Sequence, residues 1–239
     1  MNVVILRLEK EDASFVKLKS RSKCPHCKKT LAWYDLIPLV SFFVLGGRCR
    51  YCKKPISLQY PLVEFFAGAL FYLIFLKFGL SWQLTILYPL TSILLVLFVF
   101  DLKTMMLPDI FAWIAIGLAI LYLILQALVH NSYFLFLNSA IAAAIAGGFF
   151  ALLVLVSREK WMGRGDIYLG VILGLMLGYP QVLVGLFSAF TLGALFSIIL
   201  LSLKKTTLKA QIAFGPFVIL ATFIAFFWGE KILQWYLNI

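Results

Sequence analysis

The chain reads as long apolar runs separated by short polar joints. Seven runs stand out, at about residues 61–78, 84–101, 109–128, 134–156, 166–179, 181–203 and 211–229. Turn residues or charges mark the joints: Gly79-Leu80-Ser81, Pro108-Asp109, His130-Asn131-Ser132, Gly178-Tyr179-Pro180-Gln181 and Lys204-Lys205. Runs such as Leu84–Phe100 and Ser139–Val156 approach the length of a helix that crosses about 30 Å of hydrocarbon. They are continuous and do not alternate, which argues against a β-barrel. The pattern predicts an all-α polytopic membrane protein, a bundle of seven transmembrane helices. Met1–Leu6 is apolar but too short to span, and it lacks the charged start and cleavage site of a signal peptide. It reads as a truncated first transmembrane helix. The run at 166–178 would be only about 20 Å long as a helix. Either neighbouring helices shield it, or it continues past Pro180 with a kink.

Residues 7–60 differ in kind, being polar, basic and rich in turn residues, and they hold all four cysteines. The expected organisation is therefore 1–6 as the helix stub, 7–60 as a small cytoplasmic module, and 61–239 as the membrane bundle.

Composition supports the membrane reading, since 63% of the 239 residues are hydrophobic and 13% are charged. A net charge of +11 is of the size that nucleic-acid binding uses, but its distribution follows topology instead. Of the 21 Lys and Arg, 19 lie in residues 7–60, at Lys103, and in the 157–165 and 204–209 loops. Only Lys77 and Lys231 fall at the opposite ends of the runs. Placing the 19 in the cytoplasm satisfies the positive-inside rule. Asp101, Asp109 and Asp166 then all meet the cytoplasmic face, and no nucleic-acid partner is expected.

Cys24-Pro-His-Cys27 and Cys49-Arg-Tyr-Cys52 are two C-x2-C knuckles with 21 residues between them. That is close to zinc-ribbon spacing. Four thiolates suit tetrahedral Zn²⁺, and a reducing compartment disfavours disulfides. Four sulfurs close the coordination shell, so the metal is expected to be structural, holding together a module with little core. His26 is read as a bystander within its knuckle.

The carboxylates carry the chemistry. An ionisable group at bilayer depth is by default a functional-site hypothesis. Asp101 ends an apolar run, where a helix C-terminus disfavours another anion. Asp166 closes Gly163-Arg164-Gly165-Asp166 and opens the next run, where a helix N-terminus favours one. The two read as an acid–base pair, with Asp101 the acid and Asp166 the base that activates water. Gly170, Gly174 and Gly178 follow Asp166 at four-residue spacing, a small-residue stripe that turns its face into the bundle. Gly163 and Gly165 would permit close backbone approach and unusual dihedrals beside it. Asp109, after Pro108, is most simply an N-cap.

These residues resemble a known family. Asp101-Leu-Lys-Thr-Met-Met-Leu-Pro-Asp109 is similar to the D-x6-P-D segment of bacterial type IV prepilin peptidases. Gly163–Asp166 matches the GxGD signature that those enzymes share with archaeal preflagellin peptidases and, more distantly, with presenilin-type proteases. Cys24–Cys52 enclosing Trp33-Tyr34-Asp35-Leu-Ile-Pro38 resembles the family's cytoplasmic loop. Tyr60-Pro-Leu-Val-Glu64, Phe214-Gly-Pro-Phe217 and Asn2–Ile5 before Arg7-Leu8 also match. Tyr168 departs from the pattern, standing where the family commonly has lysine.

The resemblance implies a bifunctional enzyme. It would cut the basic leader from type IV prepilins or pseudopilins, then N-methylate the new terminus with S-adenosylmethionine. By position, Asp101 and Asp166 become the catalytic pair, supported by Gly163, Gly165 and Asp109, and the four cysteines become the zinc set. Trp33, Tyr34, Asp35 and Glu64 are candidates for cofactor or substrate contact, with interfacial anchoring the other reading of the two aromatics.

Two further readings compete. A proton-coupled transporter with a zinc-bearing loop would also use intramembrane acids, but nearer the midplane and with internal repeats, and no repeat is present. A membrane-anchored zinc ribbon binding nucleic acid would leave Asp101 and Asp166 idle.

Overall fold

The computed structural model describes residues 22–203 and 212–237. The expected helix stub at 1–6, the first part of the basic module and the basic 204–209 loop lie outside the described residues. The chain divides into two compact units, residues 1–80 and 81–239.

In the first unit, the two cysteine knuckles flank a 3-10 turn at Trp33–Leu36 and a short helix α1, Val40–Val44. Helix α2, Gln59–Phe78, follows and is long and apolar enough to cross a membrane.

Among its described residues the second unit is a bundle of six helices: α3 Gln83–Thr104, α4 Asp109–Val129, α5 Tyr133–Ser157, α6 Arg164–Leu177, α7 Gln181–Ser202 and α8 Gly215–Leu237. All but α6 are long and apolar enough to span. With α2, that makes six candidate spans among the described residues rather than the seven expected. The exception is the 14-residue α6, about 21 Å long at 1.5 Å per residue. It ends at Gly178, whose φ is +68°, and Pro180 caps the next helix, so no kinked continuation exists. The last helix also differs from expectation, starting at Gly215 rather than 211 and running on to Leu237.

A short helix survives here because its neighbours cover it. α6 packs against α4, α5, α7 and α8. Nine of its residues, from Asp166 through Leu177, are buried. Its tightest partner is α5, and small residues on both sides explain the approach. The backbone of Gly174 faces that of Ala142 and Ala143, and Gly170 lies against Phe150 and the Ala146 carbonyl. On α5, Gly147 receives Val171 in return. At the far end, Asn138 of α5 holds the turn after α6. Its Nδ2 donates to the Tyr179 carbonyl at 2.9 Å, and its Oδ1 accepts from the Tyr179 N–H at 3.2 Å.

α3 shows how an acid is steered inward. Leu87, Leu90, Leu94 and Leu97 are each at most 1% exposed and recur at three- or four-residue spacing. The same stripe reaches Asp101 one turn later.

A β-branched residue at position 174 has no room, because its Cβ would overlap the α5 backbone. Gly174→Val should destabilise the bundle by about 1–3 kcal/mol through overpacking. Gly117→Ala, where a Cβ meets nothing within 4 Å, should leave stability within about 0.5 kcal/mol. Thermal unfolding in detergent reads both, and an equal midpoint for the two variants would contradict the α5–α6 contact.

Candidate active site and metal centre

Asp101 and Asp166 come from α3 and α6, and both are buried, at 5% and 6% exposure. They share a neighbour: the Gly215 backbone lies against both the Asp101 carboxyl and Leu169, which is one turn beyond Asp166. The connecting segments explain the meeting. α3 ends at Met105 in a left-handed conformation, and its N–H returns to the Asp101 carbonyl at 2.9 Å. Leu107 then folds onto Gly165, where an added Cβ would sit 2.5 Å from the leucine Cδ1. The D-x6-P-D and G-x-G-D segments thus touch directly, immediately before Asp166.

Asp166 is the third residue of α6, and its Oδ2 accepts from the Gly163 N–H at 3.2 Å. This is half of a capping box, in which the third residue reaches back to the cap. The two glycines therefore do different things. Gly165 is needed for the approach of Leu107. Gly163 has φ −84° and nothing near its missing side chain, so neither the close approach nor the unusual dihedral expected of it is present. It contributes an N–H that other residues could also offer.

Asp101 meets a partner that sequence reasoning missed. Gly215, the first residue of α8, presses its backbone on the Asp101 carboxyl. Each acid therefore faces the N-terminal end of a helix, Asp166 that of α6 and Asp101 that of α8. Helix ends no longer separate the two acids as expected. The one available signal was the Phe214-Gly-Pro-Phe217 segment, in which a glycine and a proline open an apolar run.

Asp109 is not a cap. Pro108 holds that position, and Asp109 is the first helical residue of α4, exposed to solvent. An acid in the first turn complements the helix dipole. Tyr168 packs its ring on Trp113, with centroids 5.4 Å apart.

In the first unit the two knuckles repeat one fold. The Cys24 N–H bonds Lys29 O at 3.0 Å, and Cys49 N–H bonds Lys54 O at 2.9 Å. Lys28 and Lys53 both turn through φ +58°. The four Sγ atoms converge to within 4.8 Å of one another, with Cys24 and Cys52 3.9 Å apart. Four sulfurs at about 2.3 Å from one tetrahedral ion stand roughly 3.8 Å apart, so the cluster fits zinc. His26 is exposed and outside the group. Hydrogen bonds from the Cys52 backbone lower the Cys49 thiol to about 7. Cys52 accepts a backbone bond from Lys54 that lowers it, but burial and the neighbouring thiols outweigh this and raise it to about 11.

The remaining sequence candidates lie elsewhere in the same unit. Trp33 is 77% exposed. Asp35 is almost enclosed, with Oδ1 accepting from Arg50 Nε at 2.8 Å and Oδ2 from the Ala32 N–H at 3.3 Å. The Arg50 guanidinium also covers one face of Tyr34, 4.9 Å from its centroid. Glu64, on α2, accepts from the Leu39 N–H at 2.9 Å.

Two family models match. Residues 1–78 match the bacterial peptidase A24 N-terminal domain, and residues 88–198 the type IV leader peptidase family. The chain is 33% identical to a prepilin leader peptidase/N-methyltransferase of Stutzerimonas stutzeri, over 98% of this chain and 80% of that protein. This chain belongs to that family. The like-named protein of Pseudomonas aeruginosa is 32% identical over the same shares. That of Bacillus subtilis is 27% identical over 91% of this chain and 86% of its own. No solved structure matches.

In metal-free protein at pH 7, Cys49 is about half thiolate and Cys52 fully protonated. Because the thiolate is the nucleophile, iodoacetamide should label Cys49 well ahead of Cys52. Peptide mass spectrometry reads the order, and zinc should protect both. Equal labelling rates, or labelling unaffected by zinc, would count against the cluster.

Proposed function

We propose that this chain is a membrane aspartic endopeptidase of the bacterial cytoplasmic membrane. It removes the basic leader of type IV prepilins or pseudopilins, and it then methylates the new N-terminus. The observation that carries the reading is the pair of buried carboxylates, Asp101 and Asp166, whose segments meet at the Leu107–Gly165 contact.

A carboxylate pair in an apolar surround can divide the two jobs of hydrolysis. The ionised member takes a proton from water as its oxygen attacks the scissile carbonyl carbon. The protonated member donates to the carbonyl oxygen and polarises it. When the C–N bond breaks, the leaving amine takes up a proton and the pair returns to its starting state. Gly163 orients Asp166 through its N–H. Asp109, exposed at the start of α4, supports the first motif without touching the reaction. The charge distribution along the chain supports a cytoplasmic site for both acids and for the cysteine module. A prepilin's apolar helix can then stay in the bilayer while its basic leader remains in the cytoplasm.

Cys24, Cys27, Cys49 and Cys52 would hold one structural Zn²⁺, which orders the module around a fixed point. S-adenosylmethionine would supply an electrophilic methyl group. We assign its contacts to the module loop that carries Trp33 and Tyr34. Asp35 and Glu64 serve this site by fixing the loop, since Asp35 already serves Arg50 and the Ala32 N–H, and Glu64 the Leu39 N–H. A transporter reading finds no support, since the relatives are peptidases and both acids sit near helix ends rather than at the midplane.

Mass spectrometry of a co-expressed prepilin tests the proposal. Wild type should give a shortened, N-methylated pilin. Asp101→Asn and Asp166→Asn should each reduce cleavage by about 10³-fold or more, because paired groups act as a unit. A shortened but unmethylated product would leave a peptidase alone. An intact leader beside well-folded wild type would overturn the reading.

A further inference from the structure

Helix α8 begins with an unusual allotment of backbone donors. The first N–H groups of a helix have no partner within it. Here Pro216 has no N–H at all. The N–H groups of Phe217 and Val218 turn back to the Phe214 carbonyl, at 2.9 and 3.3 Å. That leaves the N–H of Gly215, a buried residue whose backbone lies against the Asp101 carboxyl. The fit is tight. A Cβ on Gly215 would stand 2.5 Å from Asp101 Oδ2 and 3.2 Å from its Cγ, with Leu169 Cδ1 at 3.0 Å. The start of the helix is itself fixed, because Phe214 packs on Phe190, Phe150 and Phe217 with centroids 5.0 to 6.2 Å apart. Opposite Phe214, Gly193 of α7 leaves room for its ring.

We infer that Gly215 is a positioning residue for Asp101. Its N–H fixes carboxylate oxygen Oδ2, leaving Oδ1 to act with Asp166 and water. The inference rests on the aspartic peptidase reading. The missing side chain matters because a carboxylate must be within about 3 Å of a backbone donor to be oriented by it. A methyl group there would push Asp101 aside, and a displacement of about 1 Å at a reacting group can cost about 10²-fold in rate. Pro216 contributes by removing a competing donor. Neither residue touches substrate; both act through Asp101.

The test compares purified full-length wild type, Gly215→Ala and Gly117→Ala on a prepilin peptide in lipid nanodiscs. Gly215→Ala should lower kcat about 10²-fold while KM stays within about 3-fold, because the substrate surface is untouched. Gly117→Ala should match wild type. A second variant separates Asp101 from Leu169. Adding Leu169→Ala to Gly215→Ala relieves the leucine contact but not the carboxylate one, so activity should stay low. Recovery in that double variant, or a kcat for Gly215→Ala within about 3-fold of wild type, would overturn the inference.

A stability cycle gives an answer that does not need activity. The loss in Tm caused by Gly215→Ala should shrink by more than about half in an Asp101→Ala background, where the carboxylate is gone. Additive losses would overturn the contact even if Gly215→Ala alone accumulates poorly. If wild type fails to cleave while the cycle shows coupling, the peptidase reading fails and the contact stands.

Discussion

Putting two acids side by side among apolar helices is costly, because each loses water and each opposes the other's charge. The second unit is organised around meeting that cost. α6 sits at its centre, too short to span, covered by four neighbours and carrying Asp166 near its start. α3 delivers Asp101 on the same stripe that buries Leu87, Leu90, Leu94 and Leu97. Three glycines then remove side chains where the acids or their carriers must pass. Gly174 sets how close α6 comes to α5, Gly165 admits Leu107 beside Asp166, and Gly215 brings a backbone donor to Asp101. Each contact would be blocked by one methyl group.

The first unit solves a related problem with sulfur. Four thiols gathered within 4.8 Å cannot all ionise unless a cation answers their charge. In the metal-free state backbone donors lower Cys49, while burial and the neighbouring thiols raise Cys52. A divalent ion held there would answer that charge and tie two otherwise independent turns into one body. With so little apolar core between residues 22 and 58, such a tie would be a large share of what orders the module.

Much of this was legible in the sequence, and the exceptions have physical reasons. Continuous apolar runs marked the helices, because hydrocarbon demands length and uniformity. The paired C-x2-C spacing marked the thiolate cluster, because a knuckle is a local structure. The position of α6, a 14-residue helix covered by four neighbours, was less legible, since a covered helix and a span are both apolar and only its length set it apart. Asp109 as the first helical residue rather than the cap turned on a one-residue boundary. The Gly215–Asp101 contact was hidden for a different reason. It joins residues more than a hundred positions apart, and a glycine leaves no side-chain signature. The Asp35–Arg50 pair was hidden likewise, since nothing in the sequence chooses among the basic residues of the module.

The loop of residues 31–39 is fastened at two places. Asp35 ties it to Arg50, inside the second cysteine knuckle, and Glu64 ties its last residue to the second turn of α2. Leu39 is held there at φ +60° and ψ −50°, a conformation that costs a leucine about 1–3 kcal/mol. The loop is thus a linkage between the four-cysteine cluster and the long apolar helix α2. Twisting α2 about its axis pulls on Leu39, and loosening the knuckle frees Asp35. Closure of the cysteine cluster and orientation of the helix are, in mechanical terms, two handles on the same short segment.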